Sequence, residues 1–86
     1  MEKLVIAEFE YNVKSFAVVK ENVNEDSIIE TANELSENNE IYYESYEELL
    51  EIILEKLGCN SEIIEKHEVE YYDFDKVVEV DLQYMF

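Results

Sequence analysis

Two groups of tyrosines, each surrounded by carboxylates, have the composition of a surface that contacts a basic protein. The first group and its acidic neighbours comprise Glu40, Tyr42, Tyr43, Glu44, Tyr46, Glu47 and Glu48. The second comprises Glu68, Glu70, Tyr71, Tyr72, Asp73 and Asp75. Tyrosine rings accept cation–π contacts, and carboxylates accept charge-assisted hydrogen bonds from Lys and Arg. Because neighbouring residues of a strand face opposite ways, we expect one ring of each adjacent pair to be exposed. The alternative is that these rings only cover a small core.

Glutamates also recur at spacings that align their charges. Glu47, Glu51 and Glu55 follow an i, i+4, i+8 pattern, which stacks them along one helix edge about 6 Å apart. A second helical row comprises Glu30, Glu34 and Glu37. On predicted strands, side chains about 6.7 Å apart on one face are Glu8/Glu10, Glu68/Glu70 and Glu79/Asp81. Rows of like charge destabilise helices and sheets. Their presence therefore indicates that the negative electrostatic field has a function, such as imitation of a phosphate backbone. The alternative is a solvated acidic face that only keeps the protein soluble.

No residue pattern indicates catalysis. Cys59 follows a predicted helix C-terminus, where the helix dipole and acidic neighbours raise the pKa of a thiol, and no residue is identified that would orient His67 to activate it. The Asp73-x-Asp75 pair lacks the later ligands and the glycine of an EF-hand loop, because Val77 stands where the ligands should continue. We assign no catalytic residue, no metal site and no cofactor.

The composition describes one small, folded and strongly acidic domain. The 86 residues are 48% hydrophobic, which is enough apolar material for a thin core. Six lysines, no arginine and 23 acids give a net charge of −17. This charge repels DNA, RNA and anionic membranes, which are excluded as direct partners. One Cys excludes an internal disulfide, and no segment has the pattern of a signal peptide or a membrane span. We expect a soluble, cytoplasmic protein, in the host cytoplasm if it is phage-encoded.

Hydrophobic periodicity predicts the elements that carry these residues. Residues 3–21 alternate as an antiparallel hairpin, with its turn at 12–15. Apolar residues at helical spacing then predict a first helix that ends near Asn38. Two N-caps compete for its start, Ser27 and Asn24, and the sequence leaves both open.

The second half of the chain predicts another helix and more strands. Ser45 with Glu48 forms a capping box that begins the second helix, and Gly58 stands at its C′ position. A short strand is predicted at 41–43 and a helical turn at 60–66. Two strands joined by a turn at 73–76 follow, at 69–74 and 77–86. The order ββα(β)αββ predicts an α+β fold, with two helices on one face of an antiparallel or mixed sheet. Residues 1–86 form one domain.

The first half of the chain resembles a known family. Residues 4–44 run as a hairpin, a capped helix with Ala32, Leu35 and Asn39, and then Glu40-Ile41-Tyr42. This pattern is similar to the small DpnD/PcfM-type domains of phages and other mobile elements. The second helix and the C-terminal strands depart from it. The resemblance implies a mobile-element setting and carries over no catalytic residues.

These features predict a non-enzymatic inhibitor that binds a basic nucleic-acid-binding protein by mimicking nucleic acid. In a mobile-element setting the natural partner is a host defence nuclease, which would make the chain an anti-restriction or anti-CRISPR protein. The alternatives are an acidic binding module for another basic partner, without mimicry, and a structural homodimer.

We expect the isolated protein to become more stable as salt rises. Its carboxylates repel one another, and the Debye length falls from about 10 Å at 0.1 M to about 3 Å at 1 M. Thermal melts in 0.1 M and 1 M NaCl measure the effect. A melting temperature that falls with NaCl would show that attractive pairs outweigh the repulsion.

Overall fold

Four strands form one mixed sheet, and two helices cover one of its faces. The computed structural model describes residues 2–38 and 41–86. Its elements are β1 (Glu2–Glu8), β2 (Lys14–Val19), α1 (Glu25–Glu37), α2 (Tyr46–Lys56), β3 (Ser61–Ile64) and β4 (Phe74–Asp81). The strand order is β3-β2-β1-β4, with β2 antiparallel to both neighbours and β4 parallel to β1. The predicted α+β fold is therefore confirmed, with helices on one face of a mixed sheet.

The core lies between the sheet and the helices. The central strand β1 is apolar on both faces of the sheet. Its Val5 and Ala7 side chains lie on the face that the helices cover, and Leu4 lies on the opposite face. The helices contribute side chains at helical spacing, namely Ile28, Ala32, Leu35, Leu49, Leu50, Ile53 and Leu54. On the opposite face, which we call the far face, Leu4, Val18 and Ile64 form a smaller cluster. Val69 and Tyr72 pack against it from the segment that joins β3 to β4. Both faces of the sheet are thus partly covered.

Side-chain caps fix where the helices begin. Asn24, and not Ser27, caps α1, since its Oδ1 accepts a hydrogen bond from the Ser27 N–H at 2.8 Å. The predicted Ser45 cap of α2 is confirmed, because its Oγ accepts from the Glu48 N–H at 3.1 Å. The Glu48 carboxylate accepts from the Glu44 N–H at 3.2 Å, one residue earlier than in a standard capping box.

A Schellman motif ends α2 at the only glycine. Gly58 has φ +85°, as predicted for a C′ residue. Its N–H donates to the Glu55 carbonyl at 2.9 Å, and the Cys59 N–H donates to the Leu54 carbonyl at 3.0 Å. Cys59 takes the apolar C″ position of the motif and is buried. Burial, and secondarily the Glu21 carboxylate, raises the pKa of its thiol.

The strands predicted after α2 are placed differently. The prediction of a helical turn at 60–66 was wrong, because Ser61–Ile64 is a strand paired with β2. The prediction of a strand at 69–74 was also wrong, because Lys66–Tyr71 forms a 3-10 turn. The Glu65 N–H donates to the Glu68 carboxylate at 2.9 Å, and the Glu68 N–H donates to the Glu65 carbonyl. This local capping outweighs the alternating pattern, so Glu68 and Glu70 do not form a strand row.

Two further boundaries differ from the sequence prediction. Residues 41–43 form no strand. β4 begins at Phe74, where a turn was predicted, and ends at Asp81, so the predicted C-terminal hairpin is absent from the described residues. After β4, the Leu82 N–H still donates to the Glu8 carbonyl, but Tyr84 is 95% exposed instead of facing the core.

Deletion of residues 77–86 should abolish folding. The deleted part of β4 pairs with the central strand and buries Val78, Val80 and Leu82. We expect the 1–76 fragment to show no cooperative thermal transition by circular dichroism. A 1–82 fragment is the control, since it keeps β4, and we expect it to melt cooperatively at a lower temperature. A cooperative melt of the 1–76 fragment would contradict the role given to β4.

Candidate protein-binding surfaces

Four aromatic rings from three parts of the chain meet at the end of the sheet where β1 finishes. Phe9 is fully buried and stacks on Tyr46, with ring centroids 4.6 Å apart and planes 2° from parallel. Tyr43 lies 6.4 Å from Tyr46 and meets the edge of Phe86 at 6.1 Å. Three further rings are exposed. Tyr11 follows β1, Tyr84 follows the parallel strand β4, and Tyr42 directly precedes Tyr43. We call these seven residues the aromatic end.

Carboxylates surround the aromatic end. The Tyr46 hydroxyl donates to Glu10 at 3.5 Å, and the Tyr42 hydroxyl donates to Glu44 at 3.3 Å. Burial and the nearby Glu10 carboxylate raise the pKa of Tyr46, so its hydroxyl remains protonated and keeps its donor role. As expected, one ring of the 42/43 pair is exposed and the other packs inward, although the pair does not lie on a strand.

Tyr11 is held at this end by a strained turn. The hairpin turn lies at Glu10–Asn12 and not at 12–15, and both Tyr11 and Asn12 have positive φ, +63° and +60°. A type I′ hairpin turn requires this backbone and favours Asn or Gly at both positions. Asn tolerates it, whereas Tyr does so at a cost of about 1 kcal/mol or more. The turn therefore exposes a ring, 85% accessible, at a position where Asn or Gly would be more stable.

A row of unpaired carboxylates runs along α2 beside the open side of β3. Glu47 borders a depression of about 300 Å³ together with Glu65, at the end of β3. Glu51 and Glu55 border another beside Ser61, at the start of β3. With Glu65, these residues form what we call the acidic edge: Glu47, Glu51, Glu55 and Glu65. All four are exposed, and none forms an ion pair with another described residue.

Lysines lie beside only one part of this edge: Lys14 and Lys66 border the depression that Glu47 and Glu65 share, whereas no described lysine borders the depression lined by Glu51 and Glu55. Lys3 is buried and donates to the Lys20 carbonyl at 3.1 Å, while Lys76 donates to the Val23 carbonyl at 3.3 Å. Lys56, on α2, forms a 3.9 Å ion pair with Glu34 of the α1 row instead. The two glutamate rows predicted from the sequence therefore differ, since the α1 row has a partner and the α2 row does not.

The second predicted tyrosine group lies at the opposite end of the sheet, where β4 begins. Tyr72 packs on the far face, stacks on Phe74 at 5.6 Å and donates to Glu62 at 3.5 Å. Burial, followed by the Glu62 carboxylate, raises the pKa of Tyr72. Tyr71 is 73% exposed, so again one ring of the pair faces solvent. The other predicted residues around it are the exposed Glu70, Asp73 and Asp75 and the half-buried Glu68.

The structure thus divides the predicted site in two. Residues 42–55 lie at the aromatic end and the acidic edge, whereas residues 68–75 lie apart from them at the start of β4. Glu40 lies outside the described residues. Sequence reasoning missed the contributions of Phe9, Tyr11, Tyr84 and Phe86, which are distant in the chain. Only Tyr11 carried a local signal, because the Tyr11-Asn12 pair sits between two strand patterns where a hairpin turn belongs.

Comparisons with family models, curated protein sequences and solved structures return no match for this chain. Among residues 2–38 and 41–86, no three His, Cys, Asp or Glu side chains converge as a metal site requires. No helix in the same ranges is long and apolar enough to cross a membrane.

Replacement of Tyr11 by Asn should stabilise the fold. Asn adopts positive φ with less strain, so we expect the free energy of unfolding to rise by about 1 kcal/mol. Urea unfolding measures the change. Tyr84→Asn is the matched control, because it removes another highly exposed ring from a residue without positive φ. If both variants changed stability equally, strain at Tyr11 would not be the cause.

Proposed function

We propose that this protein is a non-enzymatic inhibitor that binds the basic groove of a nucleic-acid-binding protein by imitating nucleic acid. The observation that carries the proposal is the exposed and unpaired row Glu47, Glu51 and Glu55 on α2. In the mobile-element setting implied by the resemblance to DpnD/PcfM-type domains, the partner is a host defence nuclease, either a restriction enzyme or a CRISPR effector.

The charge density of the acidic edge supports mimicry. From Glu47 to Glu55 the helix rises about 12 Å, and this row alone places three charges in that length. One DNA strand has about one charge per 3.4 Å of axis, or three to four over the same distance. Glu65 adds a carboxylate near Glu47, where Lys14 and Lys66 also border the depression. The α2 row by itself is therefore close to the charge density of one DNA strand.

The aromatic end suits the same partner. Exposed rings at Tyr11 and Tyr42 offer faces to Arg and Lys, each contact being worth about 0.5–1 kcal/mol at an exposed site. This surface also favours a second candidate, a binding module that recognises a basic partner through its rings without mimicry. A homodimer is a weaker alternative, because two copies of net charge −17 repel each other.

The experiment replaces Glu47, Glu51 and Glu55 together by Gln. Gln has nearly the same helix propensity, so the fold should hold. We expect the affinity for a basic partner to fall by about 1–3 kcal/mol at low salt, since neighbouring charges act together in such an interface. The assay is the ability to displace labelled DNA from a restriction nuclease and from a CRISPR effector complex, at 0.1 M salt.

The matched control replaces Glu30, Glu34 and Glu37 together by Gln, which removes the same charge from α1. We expect it to retain most of the inhibition. An equal loss in both variants would show that only net charge matters. If only the variants Tyr11→Asn and Tyr42→Asn lost inhibition, the result would favour the binding module. If the native protein failed to displace DNA from either enzyme, mimicry of these partners would be refuted.

A further inference from the structure

β4 presents an unpaired backbone edge. It is the longest strand, it ends the sheet order, and no described strand pairs with its outer side. The Leu82 N–H donates to the Glu8 carbonyl of β1 at 2.8 Å. Successive residues of a strand direct their N–H and C=O groups to opposite sides. The backbone groups of Val78 and Val80 therefore point toward β1, as those of Leu82 do. The backbone groups of Val77, Glu79 and Asp81 therefore point outward.

This edge lacks the features that usually block strand addition. The other edge strand, β3, has four residues and is flanked by the acidic row of α2. β4 has eight residues and no Pro, and its one lysine, Lys76, is turned inward to the Val23 carbonyl. Val77 is 53% exposed at its middle. A second strand could therefore align along most of its length.

Carboxylates lie along this edge strand. Asp75, Glu79 and Asp81 of β4 are all exposed. A depression of about 210 Å³ extends from Glu79 and Asp81 across β1 to Lys14, the one basic residue in its lining. A strand that adds to the outer side of β4 therefore meets carboxylates next to the hydrogen-bonding groups.

We propose that the β4 edge binds an extended, basic segment of a partner protein by strand addition. Main-chain hydrogen bonds to Val77, Glu79 and Asp81 supply the pairing, and Lys or Arg side chains of the segment meet the flanking carboxylates. A second copy of this chain does not fit, because pairing of two β4 strands brings like charges together. The surface is separate from the acidic edge and does not depend on mimicry.

The first test uses an eight-residue peptide that alternates Lys and Val, with a Lys–Pro peptide of equal charge as the control. Pro lacks the N–H groups needed for pairing. We expect the Lys–Val peptide to bind at least about tenfold more tightly, since it can form backbone hydrogen bonds that the prolines of the control peptide cannot form. Amide exchange of Val77, Glu79 and Asp81 should slow at least about tenfold on binding. Equal affinities, or protection elsewhere, would overturn the proposal.

The second test uses two substitutions of one residue. Glu79→Pro removes an outward N–H and leaves the β1–β4 pairing intact, as edge strands permit. Glu79→Gln removes the same charge but keeps the N–H. We expect the Glu79→Pro variant to bind the Lys–Val peptide no more tightly than the native protein binds the Lys–Pro peptide. We expect Glu79→Gln to lower the affinity for the Lys–Val peptide only a few-fold. If Glu79→Pro does not fold, the exchange pattern with Glu79→Gln decides. The α2 triple Gln variant should keep the protection, which separates this proposal from the proposed function.

Discussion

Repulsion among carboxylates is the constraint on which the rest of this structure depends. None of the acids among residues 2–38 and 41–86 belongs to the hydrophobic core, so the core is formed by a small apolar set shared between two faces of one sheet. The few lysines do not form a neutralising network. Lys3 and Lys76, which are Cα partners across β1 and β4, donate to the carbonyls of Lys20 and Val23 and fasten the loop before α1. Two of the six lysines thus serve chain connection, and no described lysine forms an ion pair with the α2 row.

Tyrosine takes over part of the role that arginine has in other proteins. Among residues 2–38 and 41–86, three hydroxyls donate to carboxylates: Tyr42 to Glu44, Tyr46 to Glu10 and Tyr72 to Glu62. Each ring also covers apolar surface or meets solvent, so one residue type supplies both packing and a neutral donor. A neutral donor satisfies an acid without cancelling its charge. The tyrosine-rich composition is therefore consistent with a surface whose negative field is kept.

Local signals in the sequence were sufficient for the hairpin, for both helices and for the Gly58 terminus, because caps and periodicity act over a few residues. They failed at residues 66–71, where local capping outweighed the alternating pattern, and wherever a distant contact decided the outcome. Nothing near Phe74 indicates that it pairs beside Glu2 in a parallel register, and nothing near Tyr43 indicates a contact with Phe86. The acidic row was readable because one helix contains it. The aromatic end was not, since the fold assembles it from three separated segments.

The parallel pairing of β1 with β4 also sets the order in which the domain can form. β1 and β2 are adjacent in the chain and can associate as soon as both exist, but β4 follows both helices and β3. Until Asp81 is free to pair, the apolar strand β1 has one bare edge and Val5 and Ala7 lack part of their cover. Contacts of long sequence separation slow folding. During synthesis, the sheet must therefore wait for β4, the last of its four strands, before β1 is paired on both sides.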